Sequence, residues 1–272
     1  MYEQHWQLHA RPFENNVSTD FYFRSRSHQA AMLKMRYVVD NDLGCGMLIS
    51  PVGCGKSYTV CMLNAELAEN GPFVHVLFPQ MSANEMLSYI ANGLAEGGTA
   101  ISAQDGLHRI AMELDQQMVR LAGLGLKPVV VVEDAHLIDD PSVFSALAQL
   151  LNYASYEDRA LTILLTGQPS LQARIQRTRG LDDRIAARSV LMPLSFEETE
   201  EYVDFRMKTA GALRQIFDSS AMQSLFEQSG GIPRRINRLC EMALLVGFAE
   251  QLDVISGNEI SAVAEELAPI AA

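Results

Sequence analysis

Apolar positions along this chain fall into two alternating rhythms. Short continuous runs, CGMLIS (45–50), PFVHVLFP (72–79), PVVVVED (128–134), LTILLTG (161–167) and SVLMP (189–193), predict buried strands. PVVVVED lacks any in–out alternation, as suits a central strand of a parallel sheet. Between these runs the apolar residues recur every three or four positions. That spacing predicts helices over about 27–42, from Ser57 to about Asn70, over 83–95, 103–123, 141–154 and 169–177. SANE (82–85), SFEE (195–198) and SGNE (256–259) read as capping boxes, and EGGTAIS as a loop.

Strand and helix in repeated turn define an α/β fold, a parallel sheet with helices on both faces. After Pro193 the strands stop and three or four helices finish the chain. The expected organisation is therefore an αβα nucleotide domain over 1–193, with 1–42 as its N-terminal segment and first helix. A small all-helical domain follows over 194–272.

The turn between the first strand and its helix reads SPVGCGKS. Such a turn binds phosphate: main-chain N–H groups surround the anion at a helix N-terminus, and glycines allow close approach. Here Ser50, Pro51, Val52, Gly53, Cys54, Gly55, Lys56, Ser57 and Tyr58 are the candidate nucleotide contacts. Lys56 reaches the outer phosphates and Ser57 holds Mg²⁺. Ser50 stands where such loops usually begin with glycine, which is tolerable if its φ is negative. The expected ligand is ATP with Mg²⁺.

A phosphate-loop ATPase needs a carboxylate at a neighbouring strand end for the Mg²⁺ shell, and many place a second beside it for the attacking water. VVVVEDAH supplies Glu133 and Asp134, in the reverse of the usual order. With Glu133 on the metal and Asp134 on the water, reach is altered at both positions. An ångström of misplacement can slow chemistry by about a hundredfold. Slow hydrolysis with intact binding is expected. The other register puts Asp134 on the metal and leaves Ala135 in the catalytic slot.

The chain resembles the AAA+ ATPases of the ExeA/GspA type from general secretion, and their transposition relatives such as TniB. The resemblance rests on the opening MY and RPF, DFYF (20–23), the phosphate loop, EDAH (133–136) in place of the commoner DEAQ, LLTGQPSL (164–171), RIAARSVLMPLSFEETEEYV (184–203) and SGGIPRRINRLCEMALL (229–245). It implies a P-loop domain followed by a helical lid. It also implies a polar sensor at Thr166 or Gln168, and a neighbour-directed arginine finger at Arg188 or, second, Arg184, just before the last strand. Arg234 matches the lid arginine that contacts phosphate, and Tyr22 or Phe23 could pack near adenine. A finger in trans implies a nucleotide-dependent homo-oligomer.

Composition narrows the partners. With 33 acidic and 21 basic side chains the formal charge is -12, which disfavours nonspecific binding to DNA. Arg174, Arg177, Arg179 and Arg184 nevertheless cluster and could face a phosphate backbone. No run approaches the roughly 18 apolar residues of a membrane helix. ALLVGFA (243–249) reads as a buried helix, and the N-terminus lacks a signal-peptide pattern. The four cysteines show no metal spacing and read as free thiols of a reducing cytoplasm. The histidines show no ligand spacing, although His136 directly follows the acids. Three functions follow: an ATP-driven assembly switch in secretion or envelope work with a protein partner, an ATP-dependent DNA-binding transposition helper, or a nucleotide-binding scaffold without turnover.

Overall fold

The computed structural model describes residues 1–14, 18–95, 100–155 and 159–268. Of the expected EGGTAIS loop, residues 96–99 lie outside the described residues, as does the side chain of Arg179. The chain forms two compact units.

The first unit, Ser27–Val52 with Lys56–Leu191, is built on a sheet. Its strands are β1 (Cys45–Ile49), β2 (Phe73–Val76), β3 (Val129–Val132), β4 (Thr162–Gly167) and β5 (Ile185–Val190). They are all parallel, in the order β2-β3-β4-β1-β5. β1, β3 and β4 are buried at every position, as their unbroken apolar runs require. The helices between them are α1 (Arg26–Asp40), α2 (Lys56–Glu66), α3 (Ala83–Leu94), α4 (Leu107–Gly123), α5 (Pro141–Ser155), α6 (Ser170–Gln176) and α7 (Arg179–Asp182). The core joins Met47, Val130, Val132, Ile163 and Leu165 of the strands to Ile90, Ile110, Leu147 and Leu171 of the helices.

Two expectations need correction here. The last strand is Ile185–Val190, not 189–193. It lies at the sheet edge, where only Ile185 and Ser189 are buried, so its ladder does not follow the apolar letters. Arg188 consequently sits inside β5 rather than before it, while Arg184 immediately precedes it. The helix expected over 103–123 begins at Leu107, because Gly106 has φ +82 and separates a single 3-10 turn from α4.

The second unit comprises Met1–Arg26, Gly53–Gly55 and Met192–Ala272. Its helices are α8 (Phe196–Thr209), α9 (Ser219–Ser229), α10 (Pro233–Ala249) and α11 (Gly257–Leu267). The segment 243–249 is the end of α10, with Ala243, Leu244 and Gly247 buried. The first 26 residues, expected with the sheet, group with these helices instead. Their aromatic side chains are the reason. Trp6 is buried, donates to the Leu244 carbonyl at 2.9 Å and occupies space that a Cβ on Gly247 would fill. Phe13 is buried too, and the Arg206 guanidinium binds the Pro12 and Glu14 carbonyls at 2.5 and 3.1 Å.

Candidate functional site

The phosphate loop leaves the C-terminal end of β1. Ser50 continues the ladder through one bond, its N–H donating to the Gly167 carbonyl at 3.1 Å. Serine is accommodated because its φ stays out of the left-handed region, where Gly53 (φ +88) and Gly55 (φ +93) lie. Lys56 opens α2 and is buried. Its ammonium donates to the carbonyl and hydroxyl oxygens of Ser50, both at 3.3 Å. The departure from glycine thus adds a hydroxyl that helps to hold the lysine.

Ser57, one residue on, donates its hydroxyl to Glu133 Oε1. Glu133 follows β3 directly, is 6% exposed, and its N–H bonds to the Val76 carbonyl at 2.9 Å. Its other oxygen, Oε2, accepts from His75 Nε2 at 2.7 Å. Burial pushes the carboxyl pKa up. The bonds from His75 and Ser57, with the charges of His75 and Lys56, outweigh this and hold it below the ordinary value. Glu133 therefore remains an anion beside the loop hydroxyl, the oxygen pair that a Mg²⁺ shell uses.

Asp134 has φ +48 and its side chain is 45% exposed. A left-handed non-glycine residue costs about 1–2 kcal/mol, least for Asp and Asn. This backbone turn sends adjacent acids to different surroundings, one buried on Ser57 and the other solvated. His136, 8% exposed, lies 3.8 Å from Asp134 through Nδ1, and the same atom accepts the Gln168 N–H at 3.4 Å. An accepting Nδ1 is unprotonated. Burial pushes the imidazole pKa down against the pull of Asp134, in agreement with a neutral ring.

Thr166 lies near the end of β4, 1% exposed, and its hydroxyl has no hydrogen-bond partner among the described residues. A buried unpaired hydroxyl costs about 1–3 kcal/mol. Such an orphan beside the loop strand fits a group that receives an oxygen ligand. Gln168 is tied through its main chain to His136. Arg188 is engaged with Asp182 at 2.6 Å, whereas the buried Nε of Arg184 has no partner among the described residues. Arg174 is bonded to the Ile138 carbonyl at 2.5 Å and lies 3.6 Å from Asp139, which removes it from a free basic stripe.

In the helical unit the Arg234 N–H donates to the Gly53 carbonyl at 3.2 Å. A Cβ on Gly53 would come within 2.9 Å of Ile232 Cγ2 and 3.0 Å of Arg234 Cβ, so glycine is required for close approach as well as for its φ. Cys54 is buried. Phe23, a candidate for adenine, packs its ring on Tyr202 and Phe205 at 5.6 and 5.8 Å, and Tyr22 is buried. Sequence reasoning did not single out His75. A lone histidine in a strand carries no spacing signal, and only the pairing of β2 with β3 brings it to Glu133.

A parallel sheet with β1 between β4 and β5, a glycine loop after β1 and an acid after β3 define a P-loop nucleotide-binding protein of the AAA+ ATPase class. The chain belongs to the AAA domain family, which it matches over residues 40–175. It is similar to general secretion pathway protein A of Aeromonas hydrophila, with 31% identity over 273 residues, covering 99% of this chain and 49% of that protein. The chain thus spans about half the length of that relative, and the resemblance read from the motifs holds over nearly all of its own. Among solved structures it resembles Cdc6p from Pyrobaculum aerophilum, with TM-score 0.72 and 14% identity over 96% of this chain and 72% of that one. Drosophila ORC bound to DNA gives 0.72 and 16%, over 98% and 66%. The Thermotoga maritima RuvB Holliday junction branch migration motor gives 0.60 and 16%, over 94% and 73%. At these identities the likeness is one of fold. No helix among the described residues is long and apolar enough to cross a membrane.

Proposed function

We propose that this protein binds ATP with Mg²⁺ and hydrolyses it slowly, as a nucleotide-dependent assembly switch in a secretion or envelope system. The observation that carries the reading is the convergence of Lys56, Ser57 and Glu133 at the end of β1 and β3. The main-chain amides of 51–57 and the Lys56 ammonium hold the phosphates. Ser57 and Glu133 would hold Mg²⁺, which would supply positive charge toward the phosphoryl oxygens. Asp134, solvated and unshielded, orients the attacking water, with His136 beside it. Its short reach is the reason hydrolysis is slow. Thr166 senses the outer phosphate through its unpaired hydroxyl, and Gln168 marks the same strand end.

The general secretion context comes from the relative in Aeromonas hydrophila, with an unidentified protein partner of that machinery. A finger acting in trans makes a homo-oligomer the hydrolysing form. Arg184 is the better placed of the two candidates, since Arg188 is held by Asp182. The transposition-helper reading is weaker, because Arg174 is tied down. Lys56→Ala decides the first step: ATP affinity measured by calorimetry falls beyond detection, and unchanged affinity overturns the assignment.

A further inference from the structure

One histidine of the sheet unit lies in neither motif yet bonds directly to Glu133. His75 stands on the edge strand β2, opposite Val131 of β3. Its main-chain carbonyl accepts the Tyr89 hydroxyl from α3 at 3.1 Å. The Phe73 ring meets its imidazole edge-on, with centroids 6.5 Å apart. The strand backbone at His75 is thus tied to α3, and the ring packs against Phe73. An ionised carboxylate only accepts, so Nε2 must carry the proton in its 2.7 Å contact with Oε2. Ser57 occupies the opposite oxygen.

The exchange of acids in VVVVEDAH explains why such a brace is needed. Glutamate has one more rotatable bond than aspartate, and a carboxylate that swings does not stay on one hydroxyl. With both oxygens engaged, from α2 and from β2, the longer side chain is held in one rotamer. We propose that His75 is a positioning residue: its Nε2–H pins one oxygen of Glu133 and keeps the other presented to Ser57 and to the magnesium of the bound nucleotide. This rests on the reading of Glu133 as the magnesium-shell carboxylate. Outer partners of this kind typically alter metal affinity by about 10–100-fold when removed.

The test is a titration of mant-ATP into the full chain, in EDTA and across a magnesium series, with wild type, His75→Ala, His75→Gln, Glu133→Asp and the His75→Ala/Glu133→Asp double variant. Nucleotide affinity in EDTA should be the same in wild type, His75→Ala and His75→Gln. Apparent magnesium affinity should fall about tenfold in His75→Ala and return in His75→Gln, whose amide can donate. In the Glu133→Asp background, where the shorter acid cannot hold both contacts, His75→Ala should add less than about twofold. A wild-type magnesium response in His75→Ala overturns the role of His75 while leaving the nucleotide site standing. An equal loss in both backgrounds also overturns it, as a packing effect. Should His75→Ala melt at low temperature, His75→Gln is compared with His75→Leu, and identical magnesium responses sink the proposal. If wild type binds no mant-ATP with or without magnesium, the site reading itself fails.

Discussion

At the scale of single residues, backbone geometry sends two neighbouring acids into different surroundings. Glu133 ends an extended strand and stays buried on Ser57, whereas Asp134 turns left-handed and faces solvent. Replacing each by its amide separates their roles. Glu133→Gln should weaken the magnesium requirement of ATP binding and suppress hydrolysis together. Asp134→Asn should leave ATP–Mg²⁺ affinity near wild type and reduce turnover by on the order of a hundredfold. Phosphate release measured beside nucleotide affinity reads both. If only Glu133→Gln affects turnover, Asp134 is not the water-orienting group. Local spacing made Lys56, Ser57 and the acidic pair legible in the sequence, because loop, lysine and hydroxyl are contiguous. His75 was not legible: it stands 58 residues from Glu133, and strand pairing alone joins them.

At the scale of elements, the caps and the buried strands were read correctly, whereas the start of α4 and the limits of β5 were not. All three capping boxes form, at Ser82, Ser195 and Ser256, since each needs only four consecutive residues. The limits of β5 escaped, because an edge strand follows its neighbour's ladder rather than its own apolar letters. The caps give a prediction with a definite pH dependence. The Ser256 hydroxyl accepts from the Asn258 N–H, and the Glu259 carboxylate accepts from the Ser256 N–H at 2.7 Å. The hydrogen bond with the Ser256 side chain is the main cause of the depressed Glu259 pKa, with the Ser256 N–H bond a smaller one. A carboxyl depressed on folding stabilises above its ordinary value of 4.5 and loses that contribution as pH falls through the folded value. Ser256→Ala should therefore lower stability by about 1 kcal/mol at pH 7. The difference in denaturant midpoint from wild type should narrow as pH drops below that ordinary value. A difference that stays constant with pH would show that Glu259 takes no part in the cap.

At the scale of the whole molecule, the N-terminal segment belongs with the helices although it precedes the sheet, because Trp6 and Phe13 find their burial there. No period or local cap announces a contact between positions 6 and 244, which is why sequence reading assigned the segment to the sheet. A similar limit applies to the arginines. The motif puts Arg188 first and Arg184 second, and the Asp182 pair on Arg188 argues for the reverse order. An ion pair within the chain opposes release of Arg188 toward another subunit, whereas the Arg184 guanidinium keeps an unsatisfied donor just before β5. An arginine supplied in trans contributes on the order of a thousandfold to phosphoryl transfer and nothing to binding by its own subunit. Specific ATPase activity should accordingly rise with protein concentration, in step with mass measured by light scattering. Arg184→Ala should bring hydrolysis to background while leaving calorimetric ATP affinity unchanged. Mixing Arg184→Ala with Lys56→Ala should restore partial activity, since an intact loop in one subunit can then face an intact arginine in the next. Arg188→Ala should instead loosen the turn before β5 and leave the mixture inactive only through misfolding, visible as a lowered Tm. Activity that stays flat with concentration, and no rescue on mixing two folded variants, would place the whole reaction within one chain.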